Sequence, residues 1–251
     1  MPLTPLDDLA VAAAGLFAGA VNAIAGAGSL LTFPVMIGVG LTPLSANVTN
    51  SIGVVPGNLS GTWGFRNELR GQRSRLAGFA APAIVGSLLG GILLLVLPAH
   101  SFTLVAPALL GLASLLTVAQ PVIARKVGQS PSRRNNAALS TGIFAVSIYG
   151  GYFGSGIGVL FIAVLSIFVA DQLSRLNAAK TVLQALANGV AGILFAFFAP
   201  VHWWLVLILS VSSAVGGPIG ARLSVHIPAK VLRAVIGVLG LASAIVLAVR
   251  S

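Results

Sequence analysis

The sequence predicts an all-α polytopic membrane protein made of two inverted-topology repeats of about five hydrophobic segments each, with short or broken helices after two glycine breaks. Three observations predict it. The 251 residues are 57% hydrophobic and 7% charged, with a mean hydropathy of +1.03, whereas soluble domains carry about 25% charged residues. The apolar runs are mostly about 20 residues long, as a helix crossing a core of about 30 Å requires, and they lack the alternation of membrane β-strands. Basic residues gather between the runs, in an order that makes the two halves of the chain start on opposite sides.

The hydrophobic segments fall at 6–25, 29–41, 44–65, 76–97, 102–124, 138–153, 157–169, 176–199, 203–224 and 230–249. The start, MPLTPLDDLA, lacks a basic n-region, so the first segment reads as a retained helix. The second and seventh segments are too short to span comfortably at 1.5 Å rise per residue. Each follows a glycine-rich break, Gly26–Ala27–Gly28–Ser29 or Gly154–Ser155–Gly156. The most hydrophilic stretch is RKVGQSPSRRNN. The expected organisation is therefore a first repeat over 1–124, a cytoplasmic linker over 125–137 and a second, inverted repeat over 138–251.

The basic clusters count the crossings. Arg66, Arg70, Arg73 and Arg75 form one, and Arg125, Lys126, Arg133 and Arg134 another. Two long segments separate them, so both fit the cytoplasmic side. For Arg222, Lys230 and Arg233 to join them, segments six and seven must return the chain to its starting side, as two crossings or as a re-entrant hairpin. The N-terminus, with Asp7 and Asp8, is then outside. Self-similarity agrees: GLFAGAVNAIAGAGSLLTF resembles GIFAVSIYGGYFGSGIGVLF, and NVTNSIGVVPGNLSG from Asn47 aligns without gaps to NAAKTVLQALANGVAG from Asn177. That second pairing sets Asn58 opposite Asn188 and Ser51 opposite Thr181.

At about 100° per residue, Asn47, Asn50, Ser51, Asn58 and Thr62 share one face of segment three, beside a Gly53, Gly57 and Gly61 stripe. Asn177, Lys180, Thr181, Gln184 and Asn188 share one face of segment eight. Such residues can glue helices together, and Gly15/Gly19, Gly86/Gly90 and Gly216/Gly220 read as close-packing pairs. The matched polar stripes read equally as a lined path. With Ser174 as N-cap, Lys180 lies about 9 Å into its helix. A cation at that depth marks a pathway or a partner. The alternatives are that its stem snorkels to the interface or that it pairs with Asp171. A helix broken at Gly26–Ser29 frees N–H groups whose dipole end suits an anion. Breaks at corresponding places in two inverted halves point to a transporter's substrate site, with a plain kink as the alternative.

The four acids, Asp7, Asp8, Glu68 and Asp171, all avoid segment centres, so no carboxylate proton relay is visible. His100, His202 and His226 fall at segment ends, as interfacial residues. There is no cysteine, no metal-ligand cluster and no GxxxxGK[ST] motif. These point away from an enzyme, a cofactor and a metal. The net charge of +10 sits between apolar runs, where it sets orientation rather than binding nucleic acid.

The stretch GLFAGAVNAIAGAGSLLTFPVMIGVGLTPLSANVTNSIGVVPGNLSG, echoed by GSGIGVLFIAVL and LNAAKTVLQALANGVAG, resembles the sulfite exporter TauE/SafE family, also called the toluenesulfonate uptake permeases. The resemblance covers essentially the whole chain, and departs from the commonest pattern at GAGS, where members often carry more consecutive glycines. It implies secondary transport of a small sulfur-containing anion, an organosulfonate such as sulfoacetate or sulfite, across a bacterial inner membrane. A sulfonate offers three acceptor oxygens to neutral donors and one cation. On this reading Gly26, Gly28, Ser29, Gly154, Ser155 and Gly156 supply backbone donors, and Asn47, Asn50, Ser51, Asn58, Asn177, Thr181, Gln184 and Asn188 line the path. Lys180 supplies charge, and access alternates at a central site between the repeats. A passive anion channel would use the same donors, and a non-transporting membrane subunit would use the polar stripes for packing.

Overall fold

The computed structural model describes residues 3–127, 136–224 and 229–250, apart from the side chains of 121–127, 229–231 and 250. Arg133, Arg134 and His226 lie outside the described residues, as do the side chains of Arg125, Lys126 and Lys230. Among the described residues there is no strand. The helices are α1 (Pro5–Ile24), α2 (Ser29–Gly38), α3 (Pro43–Gly53), α4 (Val55–Gly64), α5 (Arg73–Val96), α6 (Ala99–Val127), α7 (Asn136–Tyr152), α8 (Ile157–Phe168), α9 (Leu173–Phe198), α10 (Trp203–Leu223) and α11 (Ala229–Arg250). Six of them, α1, α5, α6, α9, α10 and α11, are long and apolar enough to cross a bilayer, while α2 and α8 are shorter apolar helices. The exterior is apolar, with Phe17, Val96, Phe197 and Val249 exposed, and the interior holds buried Asn, Gln, Ser and Lys. That arrangement suits lipid, not water.

Local chemistry sets the element ends. The Thr4 hydroxyl accepts from the Asp7 N–H at 3.3 Å, while the Asp7 carboxylate accepts from the Thr4 N–H at 2.8 Å. This capping box starts α1, with Pro5 in the first turn where no N–H is missed. Two of the turns need glycine for its conformation: Gly26 after α1 has φ +77°, and Gly156 before α8 has φ +75°. The single helix expected over 44–65 is instead two, α3 and α4, parted at Val54. Pro56 has no N–H to return to the carbonyl one turn back, so the ladder is interrupted there.

Helices from the two halves pack through one kind of interface used twice. A Cβ built on Gly19 of α1 would sit 2.2 Å from Ser213 O and 2.9 Å from Gly217 N of α10. One built on Gly151 of α7 would sit 2.2 Å from Ser87 O and 2.9 Å from Gly91 N of α5. Reciprocally, Gly216 meets Leu16 O at 2.0 Å and Gly90 meets Ile148 O at 2.0 Å. Numbers rise by 132 from α1 to α7 and fall by 126 from α10 to α5, throughout these contacts. The Ser213 hydroxyl donates to Gly53 O where α3 meets α4, and its counterpart Ser87 donates to Ala187 O of α9. The paired glycines do serve close approach.

One register differs from the sequence match, which begins Gly15 against Gly142. Gly15 meets Ser212 and Leu209 of α10, whereas Gly142 meets Val164 of α8. In packing, Gly19 answers to Gly151, because α1 continues about one turn further past its glycine contact before breaking than α7 does.

The two ends of the bundle differ in chemistry. At one end Asp171, between α8 and α9, takes Arg75 at 2.7 Å and Arg175 at 3.0 Å, and Gln72 donates to Arg175 O. At the other, Trp204 Nε1 donates to the Asp8 carboxylate, Ser45 to Pro200 O, and the His202 N–H to Thr49 Oγ1. Burial pushes the Asp171 carboxyl up, but hydrogen bonds from Arg75, the Gln172 N–H and Arg175 outweigh it and hold the group below the usual aspartate range.

Two outcomes follow from this packing. Gly19→Val and Gly151→Val should each cost about 3 kcal/mol or more by driving a side chain into backbone. Both would lower the folded fraction on detergent gel filtration alike, while Gly78→Ala, with nothing within 4 Å of its Cβ, leaves it unchanged. Asp171→Asn should lower the apparent Tm at pH 7 by about 2–6 °C. Because the folded pKa is depressed, that contribution is full above the unfolded value of about 3.9 and is lost as pH falls through the folded one. The two melting curves therefore converge in acid, which a pH series of thermal melts checks.

Candidate functional site

The two breaks meet inside the bundle. A Cβ on Gly26 would lie 2.6 Å from the Gly158 carbonyl carbon, and one on Gly158 would lie 2.5 Å from Gly26 Cα and 2.6 Å from the Gln184 amide. The Ser155 hydroxyl donates to Ser29 O at 3.3 Å. The first turns of α2 and α8 therefore lie against each other. Neither helix has a side-chain cap at its start, so the dipole ends of both face the same interior region.

Each break is held by a side chain from the other half. At the first, the Gly28 N–H donates to Asn22 Oδ1 at 2.7 Å. Lys180 Nζ of α9 donates to Asn22 O at 2.9 Å and to Ala23 O at 3.0 Å. At the second, Asn47 Nδ2 of α3 donates to Tyr152 O at 3.0 Å, and its Oδ1 accepts from the Gly154 N–H. The Tyr149 hydroxyl adds a bond to Ser155 O. A cation at the C-terminal carbonyls of α1 also complements the helix dipole.

This corrects both alternatives considered for Lys180. It neither snorkels, being fully buried, nor pairs with Asp171, which binds Arg75 and Arg175. Its N-cap is Gln172 rather than Ser174. Two of its three N–H groups go to carbonyls at the end of α1: Ala23 O, which no backbone N–H reaches, and Asn22 O, which also accepts from the Gly26 N–H at 3.1 Å.

Of the residues proposed from sequence, Gly26, Gly28, Ser29, Asn47, Asn50, Ser51, Asn58, Gly154, Ser155, Gly156, Lys180, Thr181, Gln184 and Asn188 are buried, and Asn177 is half-buried. Contacts gather most of them at the breaks: Ser51 Oγ and Asn188 Oδ1 lie 2.6 and 3.3 Å from a Cβ built on Gly154, and Gln184 abuts Gly158. Asn50 accepts from Thr32 of α2. No hydrogen bond ties Asn58 or Asn177 to either break. Ser51 and Thr181 have turned their hydroxyls back to Asn47 O and Asn177 O of their own helices.

The amides are the unusual feature. Asn50 Nδ2, both polar atoms of Asn58, both of Asn188, Gln184 Oε1 and Asn177 Oδ1 are buried without a hydrogen-bond partner. A buried polar group left unpaired costs about 1–3 kcal/mol, and folded proteins carry few of them. Three of these residues, Asn50, Gln184 and Asn188 on α3 and α9, stand at the meeting point of the two helix starts, through Thr32, Gly158 and Gly154 respectively. Phe33, Phe153 and Tyr149 form an apolar wall beside it, with Phe33 and Phe153 edge to face at 5.2 Å. Asn22, Thr32 and Tyr149 escape sequence reading, although Asn22 is legible as a polar residue one turn before the break.

Comparison with known proteins adds an independent line. Residues 11–247 match the family model described as Sulfite exporter TauE/SafE. The chain is 26% identical over 224 residues to the "Probable membrane transporter protein YfcA" of Escherichia coli K12, covering 88% of this chain and 82% of that protein. It is 25% identical over 232 residues to the "Probable membrane transporter protein ORF9" of a Sinorhizobium species, covering 92% and 88%. A probable membrane transporter protein of Haemophilus influenzae is 24% identical over 212 residues, covering 83% and 82%. No solved structure matches.

The Lys180 geometry carries its own test. Lys180→Met should leave Ala23 O without a donor and take one donor from Asn22 O, at a cost of about 1–3 kcal/mol, seen as a lower apparent Tm. An unchanged or higher Tm would mean that the ammonium does not cap the helix.

Proposed function

Because the chain belongs to the sulfite exporter TauE/SafE family, we propose that this bacterial membrane transporter carries small sulfur-containing oxyanions, an organosulfonate such as sulfoacetate or sulfite itself. The observation that carries the reading is that Asn50, Gln184 and Asn188 keep buried, unpartnered amide atoms beside two helix starts without side-chain caps. An oxyanion accepts hydrogen bonds on every oxygen, so it takes N–H donors from Asn50, Asn58 and Asn188 and from the helix starts together. Asn and Gln are used in the orientation that presents nitrogen, since the amide can turn end for end.

The donors are neutral, which suits passage: an anion held by dipoles in a desolvated site is stabilised, yet not trapped as a buried ion pair would trap it. Lys180, engaged with Asn22 O and Ala23 O, contributes long-range charge and a spare N–H. The two halves form an inverted pair with the site between them, as repeated α1–α10 and α7–α5 packing supports, and alternating access exposes the site to each side in turn.

The test is flux of labelled sulfoacetate into proteoliposomes. Saturable flux, competed by sulfite, is expected from the wild type. Asn58→Ala and Asn188→Ala should each cut flux at low substrate by about tenfold, the loss of roughly 1.4 kcal/mol of anion binding, while stability holds or rises because an orphan amide is gone. If flux holds and stability falls instead, the amides are packing groups. Folded protein that moves neither sulfonates nor sulfite would overturn the substrate class.

A further inference from the structure

The gapless match of α3–α4 to α9 runs on to TWGF against GILF, ending at Phe65 and Phe195. From 58 to 65 against 188 to 195 only two residues are identical, Asn58 with Asn188 and Phe65 with Phe195. Seven residues at about 100° each bring a phenylalanine back over its asparagine, roughly 10 Å further along. The two segments lie side by side in opposite directions, with Gly61 near Thr181 and Ile52 near Gly192. Phe65 therefore lies toward the end that holds Asp171, and Phe195 toward the end that holds His202.

Both rings are buried. Phe65, the first residue past α4, packs with Ala23, Ala178 and Ala221, and with Leu69. Three of those four neighbours are alanines, so the ring supplies most of the bulk there. Ala23 carries a carbonyl that Lys180 holds, and Ala178 follows Asn177, so this cluster lies against the first break. Just beyond it both η nitrogens of Arg175 donate to Arg70 O, tying the turn after Phe65 to α9. Phe195 belongs to the apolar cluster of Val48, Leu94 and Phe153, and its ring is 3.6 Å from a Cβ built on Gly91. Val48 follows Asn47, which holds the second break, and is itself the counterpart of Ala178 in the same match. Beyond this cluster Ser45 donates to Pro200 O and the His202 N–H to Thr49 Oγ1. Outward from the amides, each direction thus gives a phenylalanine and then a hydrogen-bonded tie between the halves.

We propose that Phe65 and Phe195 are paired gates, each closing the amide-lined interior toward one end of the bundle. The proposal rests on the transport reading above and deepens it. A small oxyanion cannot pass a buried ring set among alkyl groups, because nothing there replaces its hydration. One ring must withdraw for the site to load from that end, while the other stays seated and prevents a leak. Access that alternates between inverted halves needs one such group per half, at matching positions. The two asparagines bind, and the two phenylalanines decide which end is open.

The chain has no cysteine, so a single introduced one reports locally. Thr181 and Ser51 are counterparts, each three residues further in than Ala178 or Val48. Thr181→Cys and Ser51→Cys are made separately, and their reaction with a charged, water-soluble maleimide is timed on the purified full chain in detergent. Phe65→Ala should speed labelling of Thr181→Cys by about tenfold or more, as the open population rises, without speeding that of Ser51→Cys. Phe195→Ala should do the converse. Phe65→Leu and Phe195→Leu, which keep apolar bulk, should give smaller rises in the same one-sided pattern, and they decide the matter where an alanine variant does not fold. Labelling that rises at both positions together, or at neither, makes the rings ordinary packing and overturns the gates. If that happens while wild-type protein carries sulfoacetate, the transport reading stands without them. One-sided labelling in a protein that moves neither sulfonates nor sulfite upholds the gates and overturns the substrate class.

Discussion

An interrupted helix inside a bilayer must find partners for its backbone within the protein, because lipid offers none. Most of the interior follows from that constraint. The first break opens the Ala23 carbonyl, and Lys180 reaches across from α9 to take it together with Asn22 O, which the Gly26 N–H also serves. The second opens Tyr152 O and the Gly154 N–H, and one amide, Asn47 from α3, serves both. The helices that supply these groups therefore have to run beside the breaks with a polar face inward. Their remaining polar residues, Asn50, Gln184 and Asn188, are then carried into the same interior region. The site is a consequence of how the breaks are held.

Close packing of small residues supplies the rest of the frame. Lipid tails are as apolar as leucine, so burial alone gives helices little reason to associate. Contact has to come from backbone approaching backbone, which glycine permits at Gly19, Gly90, Gly151 and Gly216. Two serines, Ser87 and Ser213, then tie those helices to the crossing segments by hydrogen bonds to Ala187 O and Gly53 O. Packing glue and path lining are thus different residues, though both are small or polar and both look alike in the sequence.

What was legible in the sequence follows from which interactions are local. The membrane class, the helices and the two glycine breaks are visible because composition, run length and glycine spacing are properties of neighbouring residues. The parting of α3 from α4 was signalled by Pro56 but masked by the apolar run around it. The partners of Lys180 were not legible, because a carbonyl leaves no mark in a sequence until the fold shows which helix end is open. Arg233 was grouped with Arg222 and Lys230 by proximity along the chain, while its burial depends on how α11 packs in three dimensions. The α1-to-α7 register slipped for a related reason: aligned strings count residues, and packing counts helix turns before a break.

The duplicated interfaces also bear on how such a molecule could move. Each glycine contact joins one helix from each half, α1 to α10 and α7 to α5, so the sequence halves are interleaved rather than side by side. Rocking one half against the other would pull both contacts apart at once. A Cβ could not fit in either contact, and backbone packed that closely tends to move as one body. The division that spares both contacts groups α1, α4 and α10 against α5, α7 and α9. It runs where α3 and α4 face α9, with Gly61 near Thr181 and Gly192 near Ile52 at ordinary or slightly tight separations. Asn58 and Asn188 lie on those facing helices. On the transport reading, the seam that spares both glycine helix contacts carries unpartnered amides, and the groups that close it are the Lys180 bonds to Asn22 O and Ala23 O and the Gly26–Gly158 contact, so motion there would act on the breaks themselves.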